Sequence, residues 1–217
     1  MNELFLDLET MRTTNPVVIK RIQESIRPPG QYKKPESIAQ WMRDEAPAAA
    51  LEQINRTALS GTFGHLAVIG WAVDDQPFEY VTAQGLQEAH MIRDFMARVA
   101  AKMHSQSLWT SQAKFIVFGD FDIRFLFQRS RILNVPLRLP MKRYSDQVFD
   151  VMEKWGGREM IKQSDIELAM GIERNDPLPF GGSQVGEAID AGRWHDVIEH
   201  CRIDVENLRK IYRRIEQ

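Results

Sequence analysis

The most restrictive feature of the sequence is an acidic pair at its first apolar segment. Residues 4–8 read Leu-Phe-Leu-Asp-Leu, which predicts a short buried strand, and Glu9 follows directly. Side chains two positions apart on a strand point to the same face, so Asp7 and Glu9 lie side by side. Burying two unpaired carboxylates is unfavourable, whereas a divalent cation neutralises them. The pair therefore indicates either a metal site on a sheet or a strand end that faces water.

Apolar periodicity along the rest of the chain predicts an α/β fold. Strands come first as a run and then alternate with helices, which favours a mixed sheet flanked by helices. Ser164 and Glu167 have the spacing of a capping box at one helix start. Further strands are predicted at 65–73, 78–82 and 115–118 and near Tyr144, and helices at 17–26, within 36–60, and at 87–103, 122–133, 146–155, 164–170, 184–191 and 194–216.

The chain length of 217 residues predicts a single domain, 1–217. The segment at about 11–62 combines prolines with helical spacing and separates two predicted strands, so we interpret it as a helical and loop insertion. The formal net charge of -2 argues against a protein that coats DNA non-specifically. It does not argue against a nuclease, because bound metal ions and local basic patches supply positive charge.

Cysteine usage and hydropathy indicate where the protein resides. The chain has one cysteine, Cys201, so a disulfide within the chain is impossible and a reducing compartment is expected. No apolar run approaches the roughly 18 residues that a membrane span needs, and the first residues do not resemble a signal peptide. We therefore expect a cytoplasmic protein with no membrane partner.

Two further acidic positions follow along the chain. Asp122 comes just after the predicted strand 115–118, at the end where open α/β sheets place their sites, although Asp120 or Asp122 could instead simply cap the next helix. Asp204 and His200 are four residues apart on the last helix and share one face, next to its apolar stripe. An exposed His–Asp pair of little consequence is the alternative. The order of these acids along the chain favours a shared site.

The arrangement of these motifs resembles the DnaQ-like DEDD 3′→5′ exonucleases. Residues 5–10, Phe-Leu-Asp-Leu-Glu-Thr, resemble the first motif of that superfamily, and residues 121–126 with Arg129 resemble the second. The third motif region is similar to residues 182–185, 191–193 and 201–205. The chain is particularly similar to phage and prophage-type exonucleases that are related to the proofreading domain of family B polymerases. The resemblance spans nearly the whole chain.

The resemblance implies an RNase H-like fold and two-metal hydrolysis of phosphodiester bonds. It implies that two divalent ions, Mg²⁺ or Mn²⁺, assist hydrolysis from the 3′ end of nucleic acid, giving nucleoside 5′-monophosphates. The expected substrate is single-stranded DNA. The implied metal ligands are Asp7, Glu9, Asp122 and Asp204, and the implied contacts to the terminal nucleotide are Leu8, Thr10 and Met11.

Two positions depart from the family pattern. The related branch has Tyr four residues before the last Asp, where this chain has His200, and the histidine branch places its His five residues before. The segment before the Phe-Asp pair, ending in Gly119-Asp120, is shortened. We expect His200 to orient or deprotonate the attacking water, since an imidazole suits this task near neutral pH better than a phenol.

Two alternatives to a DNA exonuclease remain open. The same four acids would serve a 3′→5′ exoribonuclease, and a non-catalytic RNase H-like adaptor would bind nucleic acid without cleaving it. Basic residues that are candidates for phosphate contacts are Lys33, Lys34, Arg124, Arg129, Arg131, Lys142 and Arg143.

Overall fold

A computed structural model describes residues 1–103, 109–141, 145–178 and 184–217, with only the backbone of Trp109. The five strands are β1 Asn2–Met11, β2 His65–Val73, β3 Glu79–Thr82, β4 Ala113–Val117 and β5 Val148–Asp150. The helices are α1 Pro16–Ser25, α2 Pro35–Asp44, α3 Ala46–Arg56, α4 Glu88–Lys102, α5 Trp109–Gln112, α6 Phe121–Ile132, α7 Val151–Gly156, α8 Gln163–Met170, α9 Val185–Asp190 and α10 Trp194–Ile215. A 3₁₀ turn spans Thr57–Leu59.

The strands form one mixed sheet in the order β3-β2-β1-β4-β5. β2 pairs antiparallel with both β1 and β3, whereas β4 runs parallel to β1 and to β5. The α/β class with a mixed sheet flanked by helices, as predicted from the sequence, is therefore confirmed. β1 is the central strand, and this position explains why its apolar residues are buried on both faces.

Helices cover both faces of this sheet. On one face, α4 and α6 contribute Phe95 and Phe125 to the larger core, together with Trp71 and Phe115 of the sheet. On the other face, α10 lies across β1 and β2 and contributes Leu208 and Tyr212 to a second core. The apolar stripe of α10 thus faces the same side of β1 from which Phe5, Asp7 and Glu9 project.

The segment between β1 and β2 contains α1, α2, α3 and the 3₁₀ turn, so the helical character predicted for it is confirmed. Ile26, Ala46 and Ala50 form a small separate core there. The Thr10 hydroxyl donates to the Ala58 carbonyl at 2.8 Å and connects the 3₁₀ turn to β1. These contacts hold the helices beside the end of β1.

Two local predictions were wrong. Residues 148–150 form β5, although the spacing predicted a helix from 146, because pairing with distant β4 determines their structure. The predicted capping box of α8 is also absent, because this helix begins at Gln163 and Glu167 points into an ionic network instead. The strand predicted near Tyr144 lies outside the described residues.

No helix within the described ranges is both long enough and apolar enough to cross a lipid bilayer.

Candidate metal and active site

The acids of β1 lie where α10 approaches the sheet most closely. Asp7 pairs in register with Gly70 of β2, and a Cβ atom on Gly70 would lie 2.3 Å from the Cys201 sulfur. The absence of a side chain at Gly70 therefore allows α10 to pack against the strands. The Cys201 thiol, which is fully buried, donates to the Asp7 carbonyl oxygen at 3.8 Å.

Asp122, in the first turn of α6, also lies close to the acids of β1. The parallel pairing of β1 with β4 ends at Phe5 and Ile116, so the backbone of β1 beyond that point is open on this side. A backbone hydrogen bond from Leu8 reaches the Asp122 carboxylate, which is buried in the first turn of α6. The alternative in which Asp122 caps α6 is wrong, because Asp120 occupies the N-cap position.

Asp204 and His200 project from α10 toward the β1 acids. His200 is 3% exposed, and its Nε2 atom lies 3.7 Å from Glu9 Oε1 and 3.5 Å from Asp204 Oδ2. The ligating atoms of Glu9, His200 and Asp204 all lie within 4.8 Å of one another, and Asp7, Glu9 and Cys201 form a second such group. The structure thus brings together the five residues predicted as metal ligands or as the residue that activates water, since the charge of Asp122 also acts on Glu9.

A second set of residues supports this cluster and was missed by the sequence analysis. Arg174 contacts Asp204 at 2.6 Å, Asp176 at 2.6 Å and Glu167 at 3.0 Å. Asp176 Oδ2 also lies 2.6 Å from His200 Nδ1. The Arg-x-Asp spacing of 174 and 176 was a local signal, but the partners of both residues are far away in sequence.

Burial and mutual repulsion control the ionisation of the acids. Desolvation, followed by the charge of Asp204, raises the pKa of Asp7 to about 7. Desolvation and then Asp7 raise the pKa values of Glu9 and Asp122 well above their ordinary values. The pKa of Asp204 is also raised by burial, although His200 and Arg174 oppose the effect. Each carboxylate would therefore be stabilised in its ionised form by a nearby cation.

The donor set fits hard divalent ions. Asp7 Oδ2 is buried and has no hydrogen-bond partner among the described residues. Arg174 is the guanidinium that this cluster engages, and it is shared by three carboxylates. Carboxylate oxygens in excess of local positive charge are the ligands that Mg²⁺ and Mn²⁺ prefer. Asp7, Glu9, Asp122 and Asp204 are therefore the residues that would hold such ions.

Two cavities include residues of the acid cluster, Glu9 in the first and Asp204 in the second. The first, of about 460 Å³, is lined by Leu8, Glu9 and Thr10 of β1 together with residues of α3, the 3₁₀ turn, α6 and α9. The second, of about 820 Å³, is lined by Arg124, Lys162, Arg174, His200 and Asp204 among others. Of the three predicted substrate contacts, Leu8 and Thr10 line the first cavity. Met11 pairs with His65 at the end of β1 and is not among the described residues that line the first cavity.

The basic residues considered for phosphate contacts differ in their availability. Arg124 is half-exposed and lines the second cavity. Arg129 is buried and binds Glu88 at 2.6 Å and the Gly61 carbonyl, so it holds the fold together and is not free for phosphate. Lys142 and Arg143, like Gly182 and Ser183 of the third motif, lie outside the described residues.

Comparison of the chain with protein-family models and with curated proteins found no match.

Proposed function

We propose that this protein is a metal-dependent 3′→5′ exonuclease of the DnaQ-like DEDD type, which acts on single-stranded DNA. The observation that carries the proposal is the convergence of Asp7, Glu9, Asp122 and Asp204 in one cluster beside His200, in which Glu9 and Asp122 are buried and Asp7 and Asp204 are partly exposed. These four acids come from a strand and two helices that are distant in sequence. Paired buried carboxylates are costly without a cation, and a two-metal hydrolase requires them.

The sheet supports the RNase H-like part of this proposal. A mixed sheet with an antiparallel β3-β2-β1 half and a parallel β1-β4-β5 half is flanked by helices on both faces. Asp7 and Glu9 of central β1 lie just beyond the carboxyl end of its parallel neighbour β4. Open α/β sheets place their sites at such strand ends.

The chemistry divides between bound ions and the side chains of the chain. Two bound Mg²⁺ or Mn²⁺ ions would supply positive charge to the phosphate and favour ionisation of water at neutral pH. Asp7, Glu9, Asp122 and Asp204 would hold them. His200 presents Nε2 to the same space, within 4 Å of Glu9 and Asp204, and would take the proton of the attacking water.

The two cavities would hold different parts of the substrate strand. The first cavity has apolar walls from Leu8, Ala58, Leu59 and Phe121, and Thr10 adds a hydroxyl, which suits the sugar and base of one terminal nucleotide. The second cavity carries Arg124 and Lys162, which suit the phosphates of the preceding strand. The scissile phosphate would lie between them, at the acids.

The test is degradation of 5′-labelled single-stranded DNA and RNA of one sequence, with Mg²⁺, with Mn²⁺ and with EDTA. Wild type should shorten DNA from the 3′ end only with metal. Asp7→Asn should lose at least ~100-fold in rate, because removing charge from a metal site of this kind removes transition-state stabilisation. Asp44→Asn, an exposed acid on α2, is the matched control and should cleave like wild type.

Each outcome decides between the alternatives. Preferential shortening of RNA would make the protein an exoribonuclease with the same site. If folded, metal-loaded protein cleaves neither the DNA nor the RNA, the enzyme proposal is overturned and a binding adaptor is favoured.

A further inference from the structure

We propose that Asp176, fixed in place by Arg174, is a positioning residue that holds His200 with a bare Nε2 directed at the acid cluster. This inference rests on the proposed function for its catalytic consequence, but the orientation of the ring can be measured independently. Neither residue belongs to the motifs that the sequence analysis identified.

The contacts of Asp176 define its role as a hydrogen-bond acceptor. Its Oδ2 atom accepts from Arg174 Nε at 2.9 Å and from Nη2 at 2.6 Å, and its Oδ1 atom accepts from the Leu178 backbone N–H at 2.8 Å. The side chain is 3% exposed, so water cannot easily replace these donors. With both oxygens already accepting, the remaining contact to His200 Nδ1 at 2.6 Å needs a proton on the ring nitrogen.

The position of that proton determines whether the other ring nitrogen, Nε2, is a donor or an acceptor. A neutral imidazole carries one N–H, so a proton on Nδ1 leaves Nε2 as an acceptor. Nε2 lies 3.7 Å from Glu9 Oε1 and 3.5 Å from Asp204 Oδ2, and distances of this size suit a bridging water better than a direct bond. The lone pair of Nε2 thus faces the space where a water held by the acids would lie.

Arg174 links the orientation of the histidine to the acid cluster. Its guanidinium binds Asp176 and, through Nη1, also Asp204 at 2.6 Å and Glu167 at 3.0 Å. Glu167 is 1% exposed on α8, and Gln163 of the same helix donates to both Glu167 and the Asp204 carbonyl. One buried network therefore sets the positions of His200 and of a proposed metal ligand together.

In the proposed reaction, His200 Nε2 takes a proton from the attacking water while the oxygen of that water forms a bond to phosphorus. The bond from phosphorus to the 3′ oxygen of the preceding nucleotide breaks, and that oxygen takes a proton from solvent. Asp176 stabilises the imidazolium formed on His200, which gives its proton to solvent before the next cycle. Water is the only co-reactant.

The test is Asp176→Ala, with Glu167→Gln as the matched control. Ala removes the acceptor of the Nδ1–H, so the ring proton should move to Nε2, which lies near Glu9 and Asp204. We expect kcat to fall roughly 100- to 10,000-fold with KM and the Mg²⁺ midpoint changed less than about 3-fold, as for loss of the orienting acid in other base-orienting dyads. Glu167→Gln also removes a carboxylate from Arg174 but leaves Asp176 on His200, so it should lose less than about 10-fold.

A second readout does not depend on turnover. ¹⁵N spectra of histidine-labelled, Mg²⁺-loaded protein at alkaline pH, assigned with His200→Ala, should show His200 protonated at Nδ1 alone in wild type and at Nε2 in Asp176→Ala. A wild-type ring protonated at Nε2, alone or together with Nδ1, overturns the proposal even if the variant does not fold. Wild-type kcat in Asp176→Ala overturns it too. If wild type cleaves no nucleic acid, the proposed function fails and the spectra still decide the orientation.

Discussion

Asp7 combines two properties that ordinarily exclude each other, because it is a buried carboxylate and one of its oxygens lacks a partner among the described residues. Desolvation raises its pKa from 3.8 to about 7, so the folded protein holds a proton there at pH values where the unfolded chain has released it. Without a cation, this group contributes stability below about pH 4 and loses the contribution as the pH rises through about 7. The pKa values of Glu9, Asp122 and Asp204 are raised in the same direction.

The variant Asp7→Asn should therefore be more stable than wild type in EDTA at pH 8. It removes one buried charge, and a tenfold change in an acid dissociation constant corresponds to about 1.4 kcal/mol, so the gain in the free energy of unfolding should be a few kcal/mol at most. Urea unfolding of both proteins from pH 4 to pH 9 measures this. The two stabilities should converge near pH 4, and a constant difference across the range would contradict the burial of an ionisable Asp7.

At the scale of elements, strands and helices with strong local patterns were predictable and those fixed by distant partners were not. β2 has nine residues with an almost continuous apolar run, and its predicted bounds, 65–73, are those of the structure. β5 has three residues and exists because β4 pairs with it, so its sequence alone resembles the start of a helix. Propensity is a weak guide when tertiary pairing decides the conformation.

The helix α3 and the 3₁₀ turn have a role that the sequence left open. Together they line part of the first cavity, to which Ala58 and Leu59 contribute alongside Leu8 of β1 and Phe121 of α6. Arg12 connects two helices that line this cavity, since it binds Asn55 of α3 at 3.0 Å and Asp190 of α9 at 2.9 Å. The predicted insertion at about 11–62 thus contributes directly to the proposed nucleotide pocket.

The variant Leu59→Trp should obstruct this pocket. Leu59 is 68% exposed, so a larger side chain costs little stability, but the indole would occupy space intended for the terminal nucleotide. We expect KM for single-stranded DNA to rise about 10-fold or more, equivalent to about 1.4 kcal/mol of binding, with the Mg²⁺ dependence unchanged. Leu51→Trp, at an exposed position of α3 that does not line the cavity, controls for a surface tryptophan. Equal KM values for both variants would place the nucleotide elsewhere.

At the scale of the whole molecule, the site is assembled from segments that span the chain, from Asp7 in β1 to Asp204 in α10. The four acids were predicted to share a site because their residue types and order resemble a known motif set, and His200 because it lies one helical turn from Asp204. Arg174, Asp176 and Glu167 were not, because each has an ordinary local interpretation as a surface charge or cap, and their network forms only when α8, α10 and the 172–178 segment meet. Long-range ionic partners leave no periodic signal in a sequence.

Because the cluster holds acids from three elements, cation binding should stabilise the molecule as a unit. A ligand that binds the folded state alone at 100 times its Kd adds about 2.7 kcal/mol, and for a domain of this size each kcal/mol raises Tm by about 2–4 °C. Saturating Mg²⁺ or Mn²⁺ should therefore raise Tm by ~5–10 °C at pH 8. The increase should shrink toward zero at pH 5, since protons occupy Asp7 below about pH 7 and compete with the ion. The pKa values of Glu9, Asp122 and Asp204 are raised in the same direction by burial.

Thermal melts of wild type, Asp7→Asn and Asp44→Asn, with and without Mg²⁺ at both pH values, measure this effect. Asp44→Asn should respond like wild type, whereas Asp7→Asn should lose most of the increase. A metal response that is the same at pH 5 and pH 8, or that survives in Asp7→Asn, would locate cation binding outside the acid cluster. That result would remove the physical basis for two-metal chemistry at this site while leaving the fold unaffected.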